Sequence, residues 1–231
     1  MHNLIEKIQK RIESLYDIKL TNNVKYFITN KIKYIEEFIG KDKKTKCLIY
    51  KNKEYGFTCC KVLDDKLESI VYISKEVTKN LKENNPFKSL NKRNITDFSV
   101  LVEEIDHWEY LNNKFELEKI PSNFELELQA AVTKYWVAIR SMLDYKENID
   151  KSDINFLMVN IFPEDYFKLD KNTMIKRKEY FIANHFVRDY CNYLTGKSTD
   201  TILFSLRKFY RFDGKEKVDY VMRDFKKNPI L

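Results

Sequence analysis

The stretch Tyr55-Gly56-Phe57-Thr58-Cys59-Cys60-Lys61-Val62-Leu63-Asp64-Asp65-Lys66-Leu67-Glu68-Ser69-Ile70-Val71-Tyr72-Ile73-Ser74 sets the fold class. Residues 55–63 and 67–74 are short runs rich in β-branched and aromatic side chains. Asp64-Asp65 between them is turn chemistry, so the pair reads as two strands. Adjacent Cys59 and Cys60 then point to opposite faces of the first strand. Upstream, residues 46–51 make a third run of the same kind, set off by Asn52-Lys53. The expectation is a three-stranded antiparallel meander over residues 45–75.

Outward from the strands the pattern turns helical. Leu4, Ile5, Ile8, Ile12 and Leu15 recur at helical spacing and predict a helix over 3–16. Val24, Phe27, Ile28, Ile32, Ile35, Phe38 and Ile39 predict a second over 23–39, with Gly40 as its stop. Residues 76–94 read as polar and irregular, broken at Asn84-Asn85-Pro86. Beyond Thr96 the spacing predicts helices over 96–112, 123–146, 153–161, 173–195, 199–211 and 214–225. Three strands between two helical blocks do not make a stable domain alone. The chain therefore reads as a single α+β domain over 1–231, mostly helical. Its parts are an N-terminal helical pair (1–40), the meander (45–75) and a helical block (96–231).

At 231 residues, with 43% hydrophobic and 14% aromatic residues, the chain has the material for a packed core. Four glycines and four prolines argue against long linkers. The richness in Lys, Asn and Ile is that of an AT-rich bacterial coding sequence. A net charge of +7 attracts polyanions. The cations are interspersed with acids, however, and the densest run is only Lys41-Asp42-Lys43-Lys44. Cys47, Cys59, Cys60 and Cys191 form no C-x-x-C and no secreted framework, which fits reduced thiols. Met1-His2-Asn3-Leu4-Ile5-Glu6-Lys7 lacks the apolar core of a signal peptide. No run approaches the roughly 18 apolar residues of a membrane span. The expected location is the cytoplasm, with no membrane partner.

The chemistry-bearing segment is Val102-Glu103-Glu104-Ile105-Asp106-His107-Trp108, which holds one of three histidines. At about 100° per residue, Phe98, Leu101, Val102, Ile105 and Trp108 share one face. Val100 and Leu111 lie opposite, with His107 between them and Glu103 and Glu104 alongside. A helix apolar on two faces is buried in the middle of a domain. A buried carboxylate there needs a partner, because an unpaired ion is costly to desolvate. The partner is a metal ion, a Lys or Arg, or His107 itself at i, i+4 from Glu103.

A strand, then a helix bearing Glu103-Glu104-Ile105-Asp106-His107, then a helix opening Ser122-Asn123-Phe124-Glu125-Leu126-Glu127 resembles the core of gluzincin zinc metallopeptidases. The resemblance covers residues 65–140, and Glu103 stands where that family's H-E-x-x-H has its first histidine. It implies Glu104 as general base and Glu103, His107 and Glu125 or Glu127 as ligands of zinc. It implies metal-assisted hydrolysis, or a degenerate relative that has lost it. Ser122-x-x-Glu125 has a second explanation as a capping box.

A different metal arrangement adds His185 and Asp189, four apart on a predicted helix, to Glu104-x-x-His107. Facing helices build di-iron or di-manganese oxidase centres from such groups. Both residues point away from the stripe of Tyr180, Ala183, Val187, Tyr190 and Leu194, which favours an exposed pair. Thr195-Gly196-Lys197-Ser198-Thr199 lacks the first glycine of a phosphate loop and follows a helix, so Gly196 reads as a helix stop, with Ser198 or Thr199 capping the next helix. Cys191 and His185 lie on different sides of one helix and make no nucleophile pair. Finally, Leu206-Arg207-Lys208-Phe209-Tyr210-Arg211-Phe212 mixes cations with aromatics, as single-stranded nucleic-acid binders do. Its aromatics follow helix spacing with Ile202, Leu203 and Leu206, which reads as core with a basic edge. Arg207, Lys208 and Arg211 are the candidate surface for a nucleic-acid or protein partner if the protein is a non-enzymatic interaction module.

Overall fold

The computed structural model describes residues 1–40, 47–48, 55–63, 66–162 and 178–227. The predicted strand over 46–51, the Lys41-Asp42-Lys43-Lys44 run and the first residues of the predicted helix over 173–195 lie partly or wholly outside these.

The order of elements is α1 (His2–Tyr16), a 3-10 turn (Val24–Tyr26), β1 (Ile28–Thr29), α2 (Ile32–Ile39), β2 (Cys47–Leu48), β3 (Gly56–Leu63) and β4 (Lys66–Ile73). Then come α3 (Lys75–Glu83), α4 (Ile95–Glu116), α5 (Asn123–Met142), α6 (Lys151–Ile161), α7 (Lys178–Thr195), α8 (Thr199–Arg211) and α9 (Gly214–Lys227). The fold is α+β and mostly helical, as the sequence predicts.

The sheet runs β1-β4-β3-β2. β3 and β4 form the expected antiparallel hairpin, from Gly56 opposite Ile73 to Leu63 opposite Lys66, and β2 pairs antiparallel with β3. The purely antiparallel meander is corrected at the other edge. Ile28 and Thr29 pair in parallel with Val71 and Tyr72, so the sheet is mixed. The same residues end the predicted helix over 23–39. Its apolar positions divide between a 3-10 turn capped by Asn23, the strand β1, and α2, which stops at Gly40 with φ 59°. A short strand that pairs with a partner more than forty residues away leaves no local periodicity to read.

Residues 76–94 also differ from expectation, because α3 is a regular helix. Ser74 caps it by accepting from the Val77 amide, and Val77 and Leu81, four apart, bury one side. A cap and one apolar i, i+4 pair are enough when a core is there to receive them.

Strand alternation splits the sheet between two layers. Phe57, Cys59, Ile70 and Tyr72 pack with Ile35, Phe38 and Ile39 of α2 on one face. Cys60, Val71 and Ile73 face the main core, which takes in side chains from Ile5 in α1 to Val221 in α9. The central helices are α4 and α5. α4 is buried on both faces around His107, and α5 is buried at nearly every position from Glu125 to Ile139. Ala130, Ala131 and Ala138 have little side chain to hold α7 off, and α7 is the helix packed most extensively on α5. No described helix is long and apolar enough to cross a membrane.

Candidate functional site

His107 lies between α4, α5 and the sheet with 2% of its surface exposed. Its Nδ1 is 3.6 Å from Glu104 Oε2 and its Nε2 is 3.4 Å from Glu127 Oε1, and both carboxylates are buried. Burial alone would depress the imidazole pKa. The two carboxylates outweigh it and hold His107 well above the usual histidine range, as an imidazolium. Glu104 Oε2 also accepts from the Thr58 hydroxyl at 2.7 Å, which ties the site to β3. Glu103, half-buried, is paired with the buried Lys134 of α5.

The sequence-predicted set Glu103, Glu104, His107 and Glu127 is thus brought together from two helices. Glu125 is not part of it. The Ser122 hydroxyl accepts from the Glu125 amide at 3.1 Å, which is the first half of a capping box. The second half is missing, because the Glu125 carboxylate accepts from the Tyr110 hydroxyl at 2.6 Å and lies 3.4 Å from Lys114 Nζ. Lys114 in turn donates to the Arg211 and Phe212 carbonyls, both at 3.2 Å, and so holds the last turn of α8.

A second buried polar strip runs along the opposite side of α4. The Tyr16 hydroxyl and Thr133 Oγ1 are 2.7 Å apart, and Thr133 Oγ1 donates to Asp106 Oδ1 at 2.7 Å. Burial pushes the Asp106 carboxyl up to about 6 against that hydrogen bond. Glu109, one turn on, is fully buried, and neither of its oxygens has a hydrogen-bond partner among the described residues. Burial raises its carboxyl well above the ordinary range. Lys217 of α9 is equally buried. Its Nζ donates to Gln129 Oε1 at 2.7 Å and sits over the Tyr110 and Phe209 rings, and burial depresses its pKa.

His185 and Asp189 are exposed on α7, while Ala183, Val187, Tyr190 and Cys191 face the core. The structure does not bring them to His107. On α8, Leu206, Phe209 and Tyr210 are buried, Arg207 is half-buried, and Lys208 and Arg211 are exposed. Phe204, which the sequence reading did not single out, is 66% exposed. It lines a groove of about 620 Å³ with Arg207, Lys208 and Arg211, and Asp17 and Asp200 line the same groove. The other residues missed were Lys134, Thr58, Glu109 and Lys217. Lys134 had a signal, since it lies seven residues from Glu127 and therefore on the same side of α5.

The side chains around His107 do not fit a zinc site as they stand. Glu104 and Glu127 lie at opposite nitrogens of the ring and converge on no common point. Lys134 already neutralises Glu103. Among the described residues no three His, Cys, Asp or Glu side chains are grouped so as to hold a metal ion. No protein family, curated protein or solved structure matches the chain.

Proposed function

We propose that the protein is a binding protein whose α8 face holds a single-stranded nucleic acid. The observation that carries this reading is the spacing of Phe204, Arg207, Lys208 and Arg211 at i, i+3, i+4 and i+7. That spacing places one exposed aromatic ring and three cations on one side of a helix, along a groove. A base stacks on an exposed ring whatever its identity, and neighbouring cations meet the phosphates. The net charge of +7 adds long-range attraction for a polyanion. The Lys114 and Tyr110 bonds to the carbonyls at the end of α8 anchor the helix, so the face is presented on a rigid element.

The test is fluorescence anisotropy with a labelled single-stranded oligonucleotide and its duplex. The single strand should bind more tightly, and Phe204→Ala should weaken it about tenfold, as loss of one stacked base does. Phe204 is exposed, so the variant keeps its fold. Equal affinity of Phe204→Ala and the parent would sink the stacking argument.

A metal-dependent hydrolase-like centre of the gluzincin kind is the second reading, with Glu104, Glu103, His107 and Glu127 as its residues. It is favoured by the nearness of Glu104 and Glu127 to the His107 ring, with the Glu103–Lys134 pair beside them between α4 and α5. It requires Lys134 to leave Glu103 and His107 to lose its proton. Elemental analysis separates the two readings. About one zinc per chain, lost in His107→Ala, would favour the second.

A further inference from the structure

A cavity of about 160 Å³ opens between the end of the β3–β4 hairpin and the end of α4 with the loop that follows it. It lies apart from the α8 face and from His107. Cys60, Leu67, Leu111, Phe115 and Pro121 line it, together with Val62 and Ile120, which are 45% and 64% exposed. An apolar cavity of about 150 Å³ is large enough to take up benzene. Among the described residues, the charged side chains that line it are both cations, Lys61 and Lys119. Lys61 is already neutralised, 2.9 Å from Glu68 and over the Phe38 ring. Lys119 is exposed and has no ion pair among the described residues.

We propose that this pocket binds a small aromatic carboxylate of one ring. The ring is enclosed by Leu67, Leu111, Phe115 and Pro121, and the carboxylate meets Lys119 at the mouth. The volume of about 160 Å³ limits the apolar part to a single ring. The charge at the mouth selects an acid over a neutral or cationic molecule of the same shape.

The probes are benzoate, benzyl alcohol and acetate, each titrated into the full chain and followed by amide chemical shifts. Benzoate should saturate, with the largest shifts at Cys60, Lys61, Val62, Leu67, Leu111, Phe115, Lys119 and Ile120. Benzyl alcohol should bind more weakly, and acetate should leave these residues unmoved. Lys119→Gln should weaken benzoate about tenfold, the effect of losing one charge-assisted contact, and leave benzyl alcohol unchanged. Lys119 is on the surface, so the substitution leaves the core intact. Acetate binding as well as benzoate, benzoate shifts elsewhere on the molecule, or an unaltered benzoate affinity in Lys119→Gln would each overturn the proposal.

Discussion

Asp106 shows how much a single buried group can weigh. Its carboxyl is fully buried, with Thr133 as its hydrogen-bond donor, and burial raises its pKa from the ordinary 3.8 to about 6. A raised carboxyl favours the folded state below pH 4, and that contribution is lost as the pH rises through 6. The loss at pH 7 is on the order of 3 kcal/mol. Asparagine keeps the acceptor for Thr133 and cannot ionise. Asp106→Asn should therefore melt close to the parent at pH 4 and several degrees above it at pH 7, at about 2–4 °C per kcal/mol for a chain of this size. Thermal melts at the two pH values check this, and parallel shifts at both would refute it. The sequence made the burial of His107 legible, because apolar residues fall on both sides of its helix. It did not show what each acid meets. Glu103, Glu104 and Asp106 are near neighbours on α4, yet they reach Lys134, Thr58 and Thr133, on two different elements. Which partner faces which acid depends on how α5 and β3 pack on α4, and no local pattern encodes it.

That packing depends on Gly56 at the element scale. A Cβ there would lie 2.9 Å from Val100 Cγ1 and 3.2 Å from both Glu104 Cγ and Ile73 Cδ1. The missing side chain lets the start of β3 lie against α4, and Thr58, two residues on and on the same face, then reaches Glu104. Gly56→Ala should cost about 1–3 kcal/mol through overpacking, measured as a lower urea midpoint with an unchanged slope. A midpoint equal to the parent's would show that the helix and strand can separate at no cost. Elements with long apolar periodicity, such as α1, α4, α5 and α8, were legible in place and type. Those whose existence depends on a distant partner were not. β1 has two residues and forms on β4, and α3 needs the core under Val77 and Leu81. The helix predicted over 23–39 failed for the same reason, since its apolar residues serve the sheet first and α2 afterwards.

At the scale of the whole molecule, the ionisable groups separate into an internal set and a surface set. Lys114 and Lys134 are buried and paired with Glu125 and Glu103, so they add little to an outward field. Arg207, Lys208 and Arg211 face outward from α8, where the sequence reading expected a basic edge beside core aromatics. Leu206, Phe209 and Tyr210 supply that core. Phe204 falls outside the stripe those residues make, and an aromatic off the stripe is the signal that was available for an exposed ring. The Arg207–Asp17 pair, at 3.9 Å and partly exposed, is too weak to hold Arg207 against a phosphate. If the three cations are the contact, single-stranded binding releases about three counterions. The log–log slope of affinity against salt should then be about −2, since each neutralised phosphate contributes about −0.7 on a single strand. Replacing Lys208 and Arg211 together with alanine should bring the slope to about −0.7, leaving Arg207 alone. Phe204→Ala should lower affinity at every salt concentration and leave the slope unchanged, because stacking displaces no ions. A slope near zero in the parent would remove the phosphates from the interface. A slope of −5 or steeper would mean that the nucleic acid runs well beyond α8, along a surface to which these three side chains contribute only a part.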